Sequence, residues 1–285
     1  MRFNLLARTA IAGVCMTALV APTSTSAASV PSVAHARAAT HTITATVTKH
    51  GVSLKGVKGL HAGRAKIVVK GKGHDTVTFA SLKKGYAMSR FLKDLHGFET
   101  NNAKAIKRIY AKVDALGGVV PGDTGSIVFP HPGTYFAMPG GGRISEPTTF
   151  TVGSKRQTRT PDVDGRIVAT DGPGWGGSTT IPAKGTLMFK NTATTPVLHF
   201  VSMQRVAEGT TVETVLEALQ SDQGPDPDWV LSGSLETDVL SPHRAMTVDY
   251  DLPAGQYVVL CFMPDPKMHG MPHALMGMIE MIHLG

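Results

Sequence analysis

Hydrophobic and polar positions alternate with period two over most of this chain, in runs only a few residues long. The stretches His41-Thr42-Ile43-Thr44-Ala45-Thr46-Val47, Ala65-Lys66-Ile67-Val68-Val69 and Thr76-Val77-Thr78-Phe79 put apolar and polar side chains on opposite faces. That predicts three strands separated by Gly/Lys turns. Helical spacing follows: Met88, Phe91, Leu92 and Leu95 predict a short helix ended by Gly97. Asn102 is placed to cap a longer helix running to Leu116 and closed by Gly117-Gly118. Strands return at 126–129, 134–138 and 148–152.

After a polar, basic segment at 154–161, which reads as a linker, the same order recurs. Strands are predicted at 166–169, 185–189 and 197–206. A helix follows in which Thr210 and Glu213 have capping-box spacing and Val212, Val215, Leu216 and Leu219 share a face. Residues 225–241 read as irregular, and 245–250 and 256–261 form a strand pair joined through Leu252-Pro253-Ala254-Gly255. Setting Gly85 on Gly209 and Gly133 on Gly255 lays 132–138 on 254–260 and 76–82 on 200–206. This predicts an internal repeat of one strand-rich unit, at 41–153 and 162–285. Short strands, Gly/Pro turns and few helices imply an all-β chain of two tandem Greek-key sandwiches with short inserted helices.

Composition narrows the class. With 42% hydrophobic and 17% charged residues the chain is not disordered. Residues 1–36 read as a signal peptide and lead-in: Arg2 and Arg8 flank an apolar run at 9–20, and small-residue cleavage sites follow at Thr25-Ser26-Ala27 and Ala34-His35-Ala36. The protein is therefore expected to be secreted, and a lipid anchor at Cys15 is disfavoured by Val14 and by the apolar run continuing past it. Residues 37–156 hold 19 Lys and Arg against 6 Asp and Glu, a net +13, whereas 157–285 hold 7 against 15, a net −8. Such asymmetry suits two halves that attract each other, or a basic half lying on an anionic cell-wall polymer or lipid surface. Nucleic acid is not an expected partner, because aromatics are few and no binding motif is present. No Gly-x-Ser-x-Gly, His-Glu-x-x-His, P-loop or dinucleotide fingerprint points to an enzyme.

The chemistry is concentrated between Tyr257 and Leu284. Removing the leader takes Cys15 with it and leaves Cys261 at the end of a strand, followed by a Pro/Gly-broken loop with Met263, Met268, His269, Met271, His273, Met276 and Met278. A lone thiol outside the cytoplasm is buried and inert, pairs with another chain, or binds a metal. Thiolate, imidazole and thioether together are the set that copper favours. Each residue also has a plainer explanation: Cys261 as a small buried hydrophobe, His199 as a hydrogen-bonded strand histidine, the methionines as core filler. His61, His96, His131, His243 and His283 form no constellation.

The second unit resembles the cupredoxin superfamily, the blue-copper β-sandwiches. Thr195-Pro196-Val197-Leu198-His199-Phe200-Val201 resembles the element carrying that family's first ligand. Cys261 with Pro272-His273-Ala274-Leu275-Met276-Gly277-Met278 resembles the last ligand loop, and the four residues between His273 and Met278 match the plastocyanin branch. The resemblance implies one copper ion held by His199, Cys261 and His273, with Met278 as a long axial ligand. The chain departs from the pattern in the eleven residues between Cys261 and His273, which let His269 or Met276 stand in as substitutes. The first unit resembles the family only through the repeat, with Asp75 and Pro139 where His199 and Cys261 stand. The function implied is an exported copper-binding protein that transfers electrons or holds copper, with a redox or copper-transfer partner protein. The competing reading is a copper-free sandwich used as a cell-surface interaction module.

Overall fold

Strand β1 (His41–Thr48) turns back into β2 (Gly51–Lys55) and pairs in parallel with β3 (His61–Lys70). The chain then crosses to β4 (Val77–Leu82), leaves the sheet for α1 (Met88–Glu99) and α2 (Ala103–Lys112), and returns as β5 (Val113–Gly117), β6 (Thr124–Phe129), β7 (Gly133–Pro139) and β8 (Thr148–Lys155). In this computed structural model the described residues are 41–73, 75–141, 144–155, 160–221 and 227–285. The expected signal peptide, its cleavage sites and the middle of the linker lie outside them.

The second half runs β9 (Gly165–Thr170), β10 (Gly174–Gly177), β11 (Thr180–Ile181), β12 (Lys184–Asn191), β13 (Ser202–Val206), α3 (Val212–Ser221), β14 (Val230–Glu236), β15 (Ala245–Asp251) and β16 (Gly255–Leu260). The short strands β17 (Pro264–Asp265) and β18 (Met271–Pro272), a 3-10 helix (His273–Met276) and β19 (Ile279–Leu284) complete it. Its pairing order matches that of the first half. One layer is β2-β1-β3-β6 in the first half and β10-β9-β12-β15 in the second; the other is β5-β4-β7-β8 and β14-β13-β16-β19. The parallel pair β1/β3 answers the parallel pair β9/β12, and both helical excursions leave between equivalent strands. A further correspondence was not visible in composition: Tyr135 donates to the carbonyl of His131 and Tyr257 to that of Pro253, a tyrosine corner four residues back in each half (2.8 and 2.7 Å). The fold is all-β with short helices, each half built of two layers of mostly antiparallel strands.

The two halves share a sheet. β6 pairs with β15, so the first layers run continuously, and the described residues hold together as one compact unit. Across the junction Arg244 grips Asp114 through two bonds of 2.7 and 2.8 Å, and Thr76 and Thr78 donate to Asp238. The charge asymmetry predicted attraction between a basic first half and an acidic second. This ion pair runs the other way, with the anion on the basic side.

Several element expectations fail, beginning with the helix expected to end at Gly97, which runs on to Glu99. The helix expected to reach Leu116 stops at Lys112, because 113–117 is buried on both faces as strand β5 beside β4, and a short apolar run cannot announce which form it takes. Its N-terminus is as expected, Asn102 accepting from the Ala105 N–H at 3.1 Å. The stretch read as irregular at 225–241 contains β14, and α3 is capped by Thr211, which accepts from the Thr214 N–H, rather than by Thr210.

The α1/α2 pair is fastened by Asp94, 2% exposed, which accepts from Tyr86, Arg90 and Arg108. The Arg108 guanidinium, with Tyr86 and Arg90, holds its carboxyl well below the ordinary range, so its contribution is present above about pH 4 and fades as pH falls toward its lowered pKa. Asp94→Asn should lower the unfolding free energy by about 2–3 kcal/mol at pH 7. Denaturant titrations should show the gap between wild type and variant closing as pH drops below about 4; a gap that stays constant with pH would refute this account.

Candidate metal centre

Strand β16 delivers Cys261. Its alternation puts Tyr257 and Val259 in the main core and Val258 and Leu260 on the other face, in a cluster with Val215 and Leu219 of α3, and the strand's pairing with β13 and β19 fixes the direction in which the next residue leaves. Cys261 is fully buried, and its carbonyl accepts from the Ala274 N–H at 2.7 Å. The backbone N–H groups of Phe200 and Met263 point at its sulfur.

His199 comes from the irregular lead-in to β13 rather than from the strand expected at 197–206. Its backbone exchanges two hydrogen bonds with Leu240, at 3.2 and 2.7 Å. Two side chains that the sequence reading missed set that lead-in. Asn191, wholly buried at the end of β12, donates to the carbonyls of Val197 (3.0 Å) and Leu240 (2.9 Å) and accepts from the Ala193 N–H. Asp171 accepts from the backbone and hydroxyl of both Thr194 and Thr195, and those bonds, the Thr194 hydroxyl first, pull its pKa down to about 2. The available signal was a polar Asn closing the apolar run of 187–189.

His273 opens the 3-10 helix after Pro272, and its N–H donates to the carbonyl of Met263. Gly277 ends that helix with φ 100, a conformation open to glycine, and the next N–H, that of Met278, donates back to the His273 carbonyl at 3.0 Å. Met278 is fully buried, and Met276 is half-buried on the helix. His269 is exposed, on left-handed backbone (φ 55) within the turn between β17 and β18, and is not part of the cluster. The long Cys261-to-His273 interval is taken up by that hairpin, which folds outward and returns His273 beside Cys261.

Three ligand-type atoms converge. The Cys261 Sγ lies 3.7 Å from the Nδ1 of His199 and 3.7 Å from the Nδ1 of His273, and the two Nδ1 atoms are 3.2 Å apart. Among the described residues this is the one group of three His, Cys or acidic side chains able to hold an ion together. A point equidistant from the three atoms lies about 2.1 Å from each, within the range of nitrogen and sulfur bonds to a first-row metal, about 2.0–2.3 Å.

The surroundings are dry. Burial pushes the Cys261 thiol up to about 12, and lowers His199 to about 3, with His273 adding to the effect, and His273 to about 4. Both imidazoles are therefore neutral at pH 7 and face each other and the sulfur through Nδ1. Their Nε2 atoms are buried without a hydrogen-bond partner, which costs about 1–3 kcal/mol for each unmet group. A cation held by the two Nδ1 atoms and the sulfur would be bound through the three donors that face one another, leaving each Nε2 to carry the ring proton.

No protein-family model matches the sequence, and no curated protein matches it. Solved structures similar to it include the reduced auracyanin of Roseiflexus castenholzii, 22% identical over 42% of this chain and 94% of that one (TM-score 0.28). An azurin from Methylomonas sp. strain J is 15% identical over 42% of this chain and 95% of that one (0.26). A copper-containing nitrite reductase from Thermus scotoductus is 14% identical over 86% of this chain and 61% of that one (0.25). The convergence of His199, Cys261 and His273 stands on its own distances.

Proposed function

We propose that this is a cupredoxin-like copper protein, its second half holding one copper ion at His199, Cys261 and His273 with Met278 as the weak axial ligand, and that it carries single electrons. The observation that carries the reading is the near-equilateral triangle of two Nδ1 atoms and one sulfur, the trigonal donor set of blue-copper electron-transfer sites. Copper bound there would supply a one-electron couple. The chain's part is to keep the donors in place: Asn191 and Leu240 hold His199, Met263 holds His273, and the N–H groups of Phe200 and Met263 favour the thiolate over the thiol. A site held this firmly and buried from solvent reorganises little between oxidation states.

The matching pairing orders support a duplicated unit whose donor set survives in the second copy. The first half then serves as brace, since the Tyr110 hydroxyl of α2 donates to the carbonyl of Pro264 at 2.8 Å, two residues before the outward turn. Export is part of the proposal and rests on the leader. No helix among the described residues is long and apolar enough to cross a membrane. The net +13 of the first half supports contact with an anionic cell surface, and a redox partner protein is expected near the copper loop.

Met278→Leu tests the axial assignment. It keeps the apolar volume and removes the thioether, so the copper protein should stay coloured, with its band shifted and its reduction potential raised. An unchanged spectrum and potential would remove Met278 from the site.

A further inference from the structure

The segment between Cys261 and His273 does more than span a gap. β17 and β18 pair Pro264 with Pro272 and Asp265 with Met271, and the turn between them is tightly specified. The carbonyl of Asp265 accepts from the N–H groups of Met268 and Gly270, and its carboxylate from those of Lys267 and Met268. A second turn follows, closed by the Met271 N–H donating to the Met268 carbonyl at 3.0 Å, with His269 and Gly270 both left-handed (φ 55 and 81). The tip also rests on the first half, because a Cβ added at Gly270 would come within about 3 Å of the Asn101 side chain in the α1–α2 connection.

What this turn displays is unusual. The exposed large hydrophobics among the described residues are Met268 and Met271, at 46% and 39%, and the residue beside Met268 is the exposed His269. Met268 and Met271 are first and last in a β-turn, which holds their Cα atoms within about 7 Å. Thioether side chains starting that close can reach a common ion, with the imidazole of His269 beside them. Two thioethers and an imidazole are soft donors that suit Cu(I) and offer little to hard cations.

We infer that the hairpin tip is a second, surface copper site, binding Cu(I) through Met268, His269 and Met271. It rests on the copper reading of the buried centre only for the identity of the metal. The rigid turn sets the donors close before an ion arrives, and the ion would sit on the one stretch of chain joining Cys261 to His273.

The test uses the folded chain under anaerobic conditions, with Cu(I) supplied as its acetonitrile complex and competed by bicinchoninate. In Cys261→Ser the buried centre loses its thiolate, and about one Cu(I) per chain should remain, bound through sulfur by X-ray absorption. Adding Met268→Leu and Met271→Leu should weaken that remaining binding by more than about tenfold, while exposed apolar area is conserved and circular dichroism is unchanged. The inference is overturned if folded Cys261→Ser retains no Cu(I), or if the leucine variant binds as tightly as its parent. Wild type and Cys261→Ser binding equal amounts of Cu(I), all of it lost with the methionines, would sink the buried centre and leave the surface site standing.

Discussion

Cu(II) added to the folded protein should produce intense visible absorption, and Cys261→Ser should produce none. The band comes from charge transfer out of a thiolate bound to copper, so it requires a sulfur within a bond length of an ion that both imidazoles also hold. Cys261 is the only sulfur among the three converging side chains, and the sulfur-to-nitrogen distances of 3.7 Å leave room for one ion at about 2.1 Å from each donor. Serine fills nearly the same volume, so the sandwich should fold unchanged. Its hydroxyl is a hard donor that keeps its proton in a dry site. The measurement is a copper titration followed by absorption and electron paramagnetic resonance at constant protein concentration. A wild type that stays colourless with copper bound, or a serine variant with the same band, would end the blue-copper reading.

Much of this centre was legible in the sequence for a specific reason. A lone cysteine at a strand's end and a Pro-His-x4-Met phrase are local patterns, and each survives folding as a local structure: β16 running into Cys261, and the 3-10 helix carrying His273 into the Gly277 turn. The strand alternation likewise predicted the all-β class, and Tyr135 and Tyr257, aligned from the sequence, make the same corner bond in both halves. What stayed hidden depends on contacts between distant segments. Nothing in 113–117 says that β4 will claim it as a strand, and nothing in 225–241 says that β13 will do the same for β14. The joining of the halves through β6 and β15 was equally out of reach, because edge pairing depends on which strand ends each layer. The eleven-residue interval put the return of His273 in doubt, and the answer lay in Asp265, whose carbonyl and carboxylate both organise the turn.

Asn191 is the largest omission, and it leads to the second large effect. A fully buried amide that donates to Val197 and Leu240 and accepts from Ala193 ties three segments together around the backbone of His199. Asn191→Ala removes three hydrogen bonds and takes the partner from the Val197 carbonyl and the buried Ala193 N–H, the Leu240 carbonyl keeping the His199 N–H, so the apoprotein should lose about 2–3 kcal/mol of stability. A merely structural role would stop there. Because His199 is positioned by the same segments, copper affinity measured well below the melting temperature should also fall, by about 10–100-fold, the usual effect of losing a group that orients a ligand. The absorption of the copper form should shift as the imidazole gains freedom, whereas Asp94→Asn, whose bonds go to Tyr86, Arg90 and Arg108 and not to the segments that carry the donors, should move affinity and spectrum far less. If Asn191→Ala melts earlier but binds copper with unchanged strength and colour, the lead-in to β13 holds His199 without it, and Asn191 belongs to the architecture alone.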